Sequence, residues 1–252
     1  MIPQITVIGI TDIPEANKGD DLAQLIFDAA QAQGTPLEAN DVVVVTQKIV
    51  SKAEGAVVDL REVEPSPLAE EFARQYDKDP RHVEVVLRQT RRIVKMDRGI
   101  LIVESKHGFI SANAGVDASN IPGEEKVSLL PEDPDGSARH LRKGLMDLVG
   151  APLAVIISDT FGRPWRMGNT DVAIGVAGIN PLRDYRGDTD PYGYQLRVSV
   201  AAIADQIASA AELVAGKTSQ IPVAIARGYP HSPDEEATIK PLLREASLDL
   251  FR

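Results

Sequence analysis

The chain contains no cysteine. Disulfides, thiolate nucleophiles and cysteine-based metal sites are therefore excluded. Aromatic residues make up only 4%, with a single tryptophan, Trp165. That is too few for the stacked platforms that hold single-stranded nucleic acid. No run approaches 18 apolar residues, so no membrane-spanning helix is expected. The first apolar run, Ile5 to Ile10, is short, soon followed by acidic residues, and lacks the character of a secretory signal. Cations are also in deficit. With 27 Lys and Arg against 37 Asp and Glu, the formal net charge is −10. Such a protein is a poor general binder of nucleic acid or anionic membrane, and it holds a polyanion only where local cations reverse the field. These absences describe a cytoplasmic protein with no nucleic acid or membrane partner.

What remains is ordinary globular material. Over 252 residues, 43% are hydrophobic, enough for one large domain or two interlocked subdomains spanning 1–252. Strands are expected over Ile5–Ile10, over Asp41–Thr46 with its four valines, over Ala56–Leu60, over Leu153–Ser158, over Leu196–Ala202 and over Pro222–Ala226. Gly99–Glu104 and Gly108–Ala112 read as a hairpin. Helices are expected over Leu22–Gln33, from Ser66-Pro67 to about Tyr76, from Asp79-Pro80 to about Arg92, from Gly136-Ser137 to Gly150, over Ala204–Val214 and, briefly, over Asp234–Leu243. Residues 121–136 and 183–194 read as loops, 161–171 as a polar segment, and Ala173–Ile179 fits no single period. Strands and helices mix without a βαβ rhythm, so the fold class is α/β of the mixed α+β kind.

Two aspartates stand out. One lies in Asn113-Ala114-Gly115-Val116-Asp117-Ala118-Ser119-Asn120, where small residues let the backbone approach a ligand closely. The other lies in Val155-Ile156-Ile157-Ser158-Asp159-Thr160-Phe161-Gly162-Arg163, where a buried strand carries a carboxylate and a hydroxyl to its end. Hard oxygen donors of this kind suit Mg²⁺ or Mn²⁺ carrying phosphates. Each segment alone also fits an Asx turn or a helix cap; two such segments, each after an apolar strand, favour metal. Lys52, Arg163 and Arg166 are cations fit to neutralise a phosphate or carboxylate, although each also reads as a solvated or ion-paired surface residue. Ala211-Glu212-Leu213-Val214-Ala215-Gly216-Lys217-Thr218 imitates a P-loop, but it ends a helix and precedes a strand, the reverse of the context a P-loop needs. His82, His107, His140 and His231 show no ligand spacing.

Taken together, the ordered segments Lys18-Gly19-Asp20-Asp21-Leu22, Ser51-Lys52-Ala53-Glu54-Gly55, Asn113–Asn120, Leu130-Pro131 with Asp133–Ala138, and Ile156–Arg163 resemble the coenzyme F420-0:γ-glutamyl ligase family. The resemblance implies a family-specific fold in intertwined homodimers, with no fused reductase domain in this chain. It implies a GTP-dependent ligase that activates the terminal carboxylate of F420-0, or its dehydro form, as an acyl phosphate. L-glutamate would be joined to it, and further glutamates through γ-carboxyls. Two divalent ions, Mg²⁺ or Mn²⁺, and potassium are implied as cofactors. Asp117, Asp159 and Thr160 would hold metal. Asp12, Ile13, Pro14, Glu15, Gln47, Lys48, Lys52, Asn120, Gly216, Lys217 and Thr218 would line the GTP site. Catalysis is expected to rest on Lys52, Arg163 and Arg166. The family often has an acidic or amide side chain in the last loop, which here reads Gly216-Lys217-Thr218-Ser219-Gln220. A metal-dependent nucleotide phosphohydrolase and a non-catalytic deazaflavin- or nucleotide-binding module are the alternatives.

Overall fold

The computed structural model describes residues 2–250, except Pro122 and Glu124. Part of the expected 121–136 loop thus lies outside the described residues. The main sheet has five strands: β1 (Thr6–Ile10), β2 (Val42–Thr46), β8 (Ala154–Gly162), β9 (Asn169–Ala177) and β12 (Val223–Arg227). Their order is β1-β12-β2-β8-β9. Only β2 and β8 run parallel; the other pairs are antiparallel. The valine run of β2 is buried, as a central strand covered on both faces requires. The mixed α/β class is thus observed.

Helices α1 (Leu22–Gln33) and α5 (Pro134–Val149) pack on each other, with α5 against β8 and β9, while α6 (Ile203–Ala215) covers β9, β1 and β12. Asp21 caps α1 through the N–H groups of Ala23 and Gln24. Helix α5 is fixed at its start by Asp135. This buried carboxylate accepts the N–H groups of Val176 and Ile239, so it ties the C-terminal segment to β9.

A second, smaller core forms around Phe72, Val83, Val86, Leu101, Val103, Ala114 and Val116. It gathers α3 (Pro67–Tyr76), α4 (Pro80–Arg88), the pair β3 (Val57–Asp59) and β7 (Lys126–Ser128), and the three-stranded sheet β4 (Thr90–Asp97), β5 (Ile100–Ser105), β6 (Ile110–Ala112). Helix α2 (Gln47–Glu54) follows β2 directly. The two-stranded ribbon β10 (Leu182–Asp184) and β11 (Val200–Ala202) brackets a long exposed arm.

Several boundaries differ from expectation. Helix α4 stops at Arg88, because Thr90 turns back to bond the Val86 carbonyl and its β-branched successors join β5 as a strand. Helix α5 begins at Pro134 rather than Gly136, capped by Asp133, the same cap-then-proline device that opens α3 and α4. Strand β7 lies inside the expected 121–136 loop. The expected strand over Leu196–Ala202 is ordered as strand only at Val200–Ala202. Of the expected Asp234–Leu243 helix only a 3₁₀ turn at Lys240–Leu242 forms. Strand β8 continues past Ser158 to Gly162 because β9 pairs with it along its full length, so Asp159 and Thr160 lie within the strand, not at its end. That pairing also uses both the polar 161–171 segment and the unassigned 173–179 run.

Candidate functional site

The site forms where the carboxyl ends of the parallel pair β2–β8 meet the smaller core. Thr46, the residue before α2, offers no side-chain cap, so the first N–H groups of α2 carry no such partner. Lys48 stands in that first turn and reaches across to the Asp117 carboxylate as an ion pair. Asp117 also accepts the N–H and hydroxyl of Ser119, at 2.8 and 2.7 Å. Burial pushes the Asp117 carboxyl up, but the hydrogen bonds from Lys48 and Ser119 outweigh it and hold it below the usual range. The Asx-turn reading of Asp117 and its place in a charged site are therefore both realised.

Asp117 is aimed by an unusual turn. Asn113, Ala114 and Gly115 have φ values of 54°, 54° and 73°. Ala114 is buried in the smaller core. A Cβ at Gly115 would come within 2.7 Å of the Leu130 side chain, so both the positive φ and the close approach demand glycine. Of eight non-glycine residues with positive φ among the described residues, five lie in candidate segments: Asp12, Asn113, Ala114, Asn120 and Gln220. Backbone strain concentrates at functional sites when the surroundings enforce it.

Asp159 is half-buried. Burial drives its carboxyl up to about 6; the Thr160 N–H and Lys48 oppose the rise, and the carboxylates of Asp171 and Asp117 add to it. Thr160 donates to Asp171 at 2.6 Å. Asp171 accepts a second, longer bond from Ser158, and its own N–H is held by Glu212 at 2.9 Å. Lys217 contacts Thr160, Glu212 and Asp171. Burial works against its charge, but Glu212 and Asp171 outweigh burial and hold its pKa above the usual value. A small hollow of about 10 Å³, room for about one water, lies beside this group, lined among others by Thr46, Ser158, Asp171, Glu212 and Pro222.

The structure thus brings together Lys48, Asp117, Asp159, Thr160 and Lys217. Glu15 and Lys52 pair with each other at the start of the site, beside the turn through Asp12, Ile13 and Pro14. Asn120 and Thr218 are both exposed, one on the turn after Asp117 and the other on the turn after α6. Gln47 is buried and accepts the Ser51 hydroxyl, leaving its Nε2 without a partner. Arg163 and Arg166 are not brought in. Arg163 binds the carbonyls of Met167 and Gly168 in its own loop. Four residues along an extended strand place it about 13 Å from Asp159. Asp171 and Glu212 escaped the sequence reading. The signal that finds Asp171 is the β8–β9 register, which sets it opposite Thr160. A register shift between Ile157 and Ser158 skips Ile174, and a bulge of this kind re-aims the residues beyond it.

The donor set fits a small hard cation. Among the described residues no three His, Asp or Glu side chains form a cage of their own. Mg²⁺ does not need one: it is usually held by one or two carboxylates with substrate phosphates and water. Asp117 and Asp159 supply two carboxylates, and the like-charge pressure on Asp159 is what a bound cation relieves.

Comparison with known proteins decides the lineage. The sequence pattern of F420-0:Gamma-glutamyl ligase matches residues 10–228. The chain belongs to the F420-0:gamma-glutamyl ligase family. It is 43% identical to the coenzyme F420:L-glutamate ligase of Methanothermobacter thermautotrophicus, over 98% of this chain and 99% of that protein. It is 47% identical to the protein of the same name from Methanopyrus kandleri, over 93% and 92%. For that of Methanocaldococcus jannaschii the figures are 42%, 86% and 86%. Every element of the family site described above, from Asp12 to Pro222, falls inside the matched span. The P-loop imitation at 211–218 is, as expected, the end of α6 and the approach to β12. No helix among the described residues is long and apolar enough to cross a membrane.

Proposed function

We propose that this chain joins L-glutamate to the terminal carboxylate of coenzyme F420-0, or its dehydro form, at the expense of GTP, and extends the tail through γ-carboxyls. The observation that carries the reading is the gathering of Asp117 and Asp159 about Lys48 at the open start of α2, with Thr160 next to Asp159 on β8. An uncapped helix start with a lysine in its first turn suits a phosphate chain. The family name supports F420-0 and glutamate as substrates; GTP as the phosphoryl donor rests on the motif resemblance.

In this reading Asp117 and Asp159 would hold Mg²⁺ or Mn²⁺, with Thr160 next to Asp159 on β8, and the ion would supply charge neutralisation at the phosphates. Lys48 and the N–H groups of α2 orient the terminal phosphate toward the acceptor carboxylate. The acceptor oxygen attacks that phosphorus, the bond to GDP breaks, and an acyl phosphate results. The glutamate amine then attacks the acyl carbon, phosphate leaves, and the amine gives up a proton. Lys52 and the Asp12–Glu15 turn close the nucleotide side, with Asn120 and the backbone of Gly216–Thr218 opposite. Arg163 and Arg166, at the loop tip, serve the acidic acceptor tail rather than the transferred phosphoryl group. Potassium acts as an accessory cation. A homodimer belongs to the same reading: Trp165, Met167, Tyr192, Val198 and Leu213 are 72–95% exposed, apolar area that a second copy would cover.

The test is GDP release with Mn²⁺, GTP and F420-0, with and without L-glutamate, followed by mass analysis of the deazaflavin. Glutamate-dependent release with a product heavier by glutamyl units is expected, and lost in Asp159→Ala. Release without a heavier product makes the protein a phosphohydrolase.

A further inference from the structure

Lys217 is the one residue of the cluster whose chemistry runs against the role its position suggests. A lysine beside a nucleotide cleft ordinarily grips phosphate as a point charge. An ammonium group has three N–H donors and no acceptor. Here Nζ has three oxygen partners: Thr160 Oγ1 at 2.5 Å, Glu212 Oε1 at 2.8 Å and Asp171 Oδ1 at 3.2 Å. All three donors are matched within the protein, and none remains for a phosphate.

The partners are themselves locked. Thr160 donates its O–H to Asp171 Oδ1, so its oxygen receives Lys217 with a defined rotor. Glu212 uses its other oxygen on the Asp171 N–H. The ring Lys217–Thr160–Asp171–Glu212 is closed, and it borders Asp159, whose carboxyl feels Asp171 directly. Nζ therefore stands at a point where two carboxylates and a hydroxyl converge, the donor set a free cation takes. The chain reaches it by a sharp return. Gly216, at φ 60° and ψ −173°, occupies a region open essentially to glycine alone, and turns Lys217 back over the end of α6.

We propose that Lys217 is a positioning residue, a tethered cation that fixes the Thr160 hydroxyl and the Asp171 carboxylate beside Asp159 in place of a diffusible ion. The inference rests on the ligase reading for its turnover assay but not for its ion count. Removing the ammonium leaves Asp171 and Glu212 without a counter-charge, and a free cation then enters. The role differs from phosphate binding in what it moves. A phosphate grip shows in the KM for GTP; a positioning role shows in kcat.

The experiment compares wild type, Lys217→Met and Lys217→Arg. Bound Mn²⁺ per chain is counted by electron paramagnetic resonance without nucleotide, and turnover is measured with and without added ammonium chloride. The side chain is 56% exposed, so the variants are expected to fold. Lys217→Met should bind one more Mn²⁺ per chain than wild type. Its kcat should fall about 10–100-fold, the usual cost of losing a group that orients a site, and recover in part with ammonium. Lys217→Arg should keep the wild-type count. An unchanged Mn²⁺ count in Lys217→Met, with the loss confined to the KM for GTP, overturns the proposal. If wild type shows no glutamate-dependent turnover, the ligase reading fails, and the Mn²⁺ count alone decides the role of Lys217.

Discussion

Replacing Asp159 by asparagine should make the metal-free protein more stable at pH 8 while abolishing its activity. In the folded protein the Asp159 carboxyl titrates at about 6, against 3.8 for a free aspartate. The folded state therefore binds the proton more tightly than the unfolded chain does. Well below pH 3.8 the group is protonated in both states and costs nothing. As pH rises from 4 to 6 the unfolded chain ionises first, and stability falls. Above 6 the full cost is present. The interval between 3.8 and 6 corresponds to about 3 kcal/mol. Solvent reaches part of the side chain, so about 1–3 kcal/mol is the working range. Asparagine carries no charge at any of these pH values and removes the cost. For a chain of this size that is a gain of roughly 3–10 °C in Tm. Thermal unfolding in EDTA at pH 4.5 and pH 8 reads it directly. The gain at pH 4.5 should be about a third of that at pH 8, and Mn²⁺ should stabilise wild type but not the variant. An Asp159→Asn protein no more stable than wild type at pH 8 refutes the electrostatic argument.

Two further outcomes follow from packing. Gly115→Ala should cost about 2–4 kcal/mol in chemical denaturation, from a left-handed φ together with contact against buried Leu130; a loss below about 1 kcal/mol would mean the turn relaxes freely. Asp135→Ala strips the acceptor from the N–H groups of Val176 and Ile239, and should destabilise by about 2–4 kcal/mol. Limited proteolysis should then cut the C-terminal segment sooner than in wild type, and an unchanged cleavage pattern would show that other contacts hold it.

Elements whose identity rests on local chemistry were readable from the chain. The caps at Asp21, Ser66 and Asp79 mark three helix starts because a side chain and an N–H two or three residues away decide them. The valines of β2 announce a buried strand for the same reason. Asp117 and Asp159 stood out because each sits in a short run whose composition suits close approach, and the fold sets both near Lys48. What escaped was decided by partners distant in sequence. Nothing near Thr90–Asp97 distinguishes a fraying helix from a strand; β5 decides it. Asp171 lies in a polar stretch that only pairing with β8 turns into a site wall. Glu212 looked like one letter of a false nucleotide motif, and its function is visible only once α6 lies beside β9. The arginines after Asp159 were close in sequence yet distant in space, because β8 runs on and carries them to its far tip.

The two hydrophobic cores give the site an unusual kind of sensitivity. Asp117 is anchored by the smaller core through Ala114 and Val116, whereas Asp159, Thr160 and Asp171 ride on the main sheet. Lys48 spans the boundary. A displacement of one core against the other would thus scatter the charged groups while leaving every helix and strand intact. Circular dichroism would register a healthy protein, and ion binding would register its loss. If the proposed function holds, affinity for a cation is a ruler laid across the seam between the two cores.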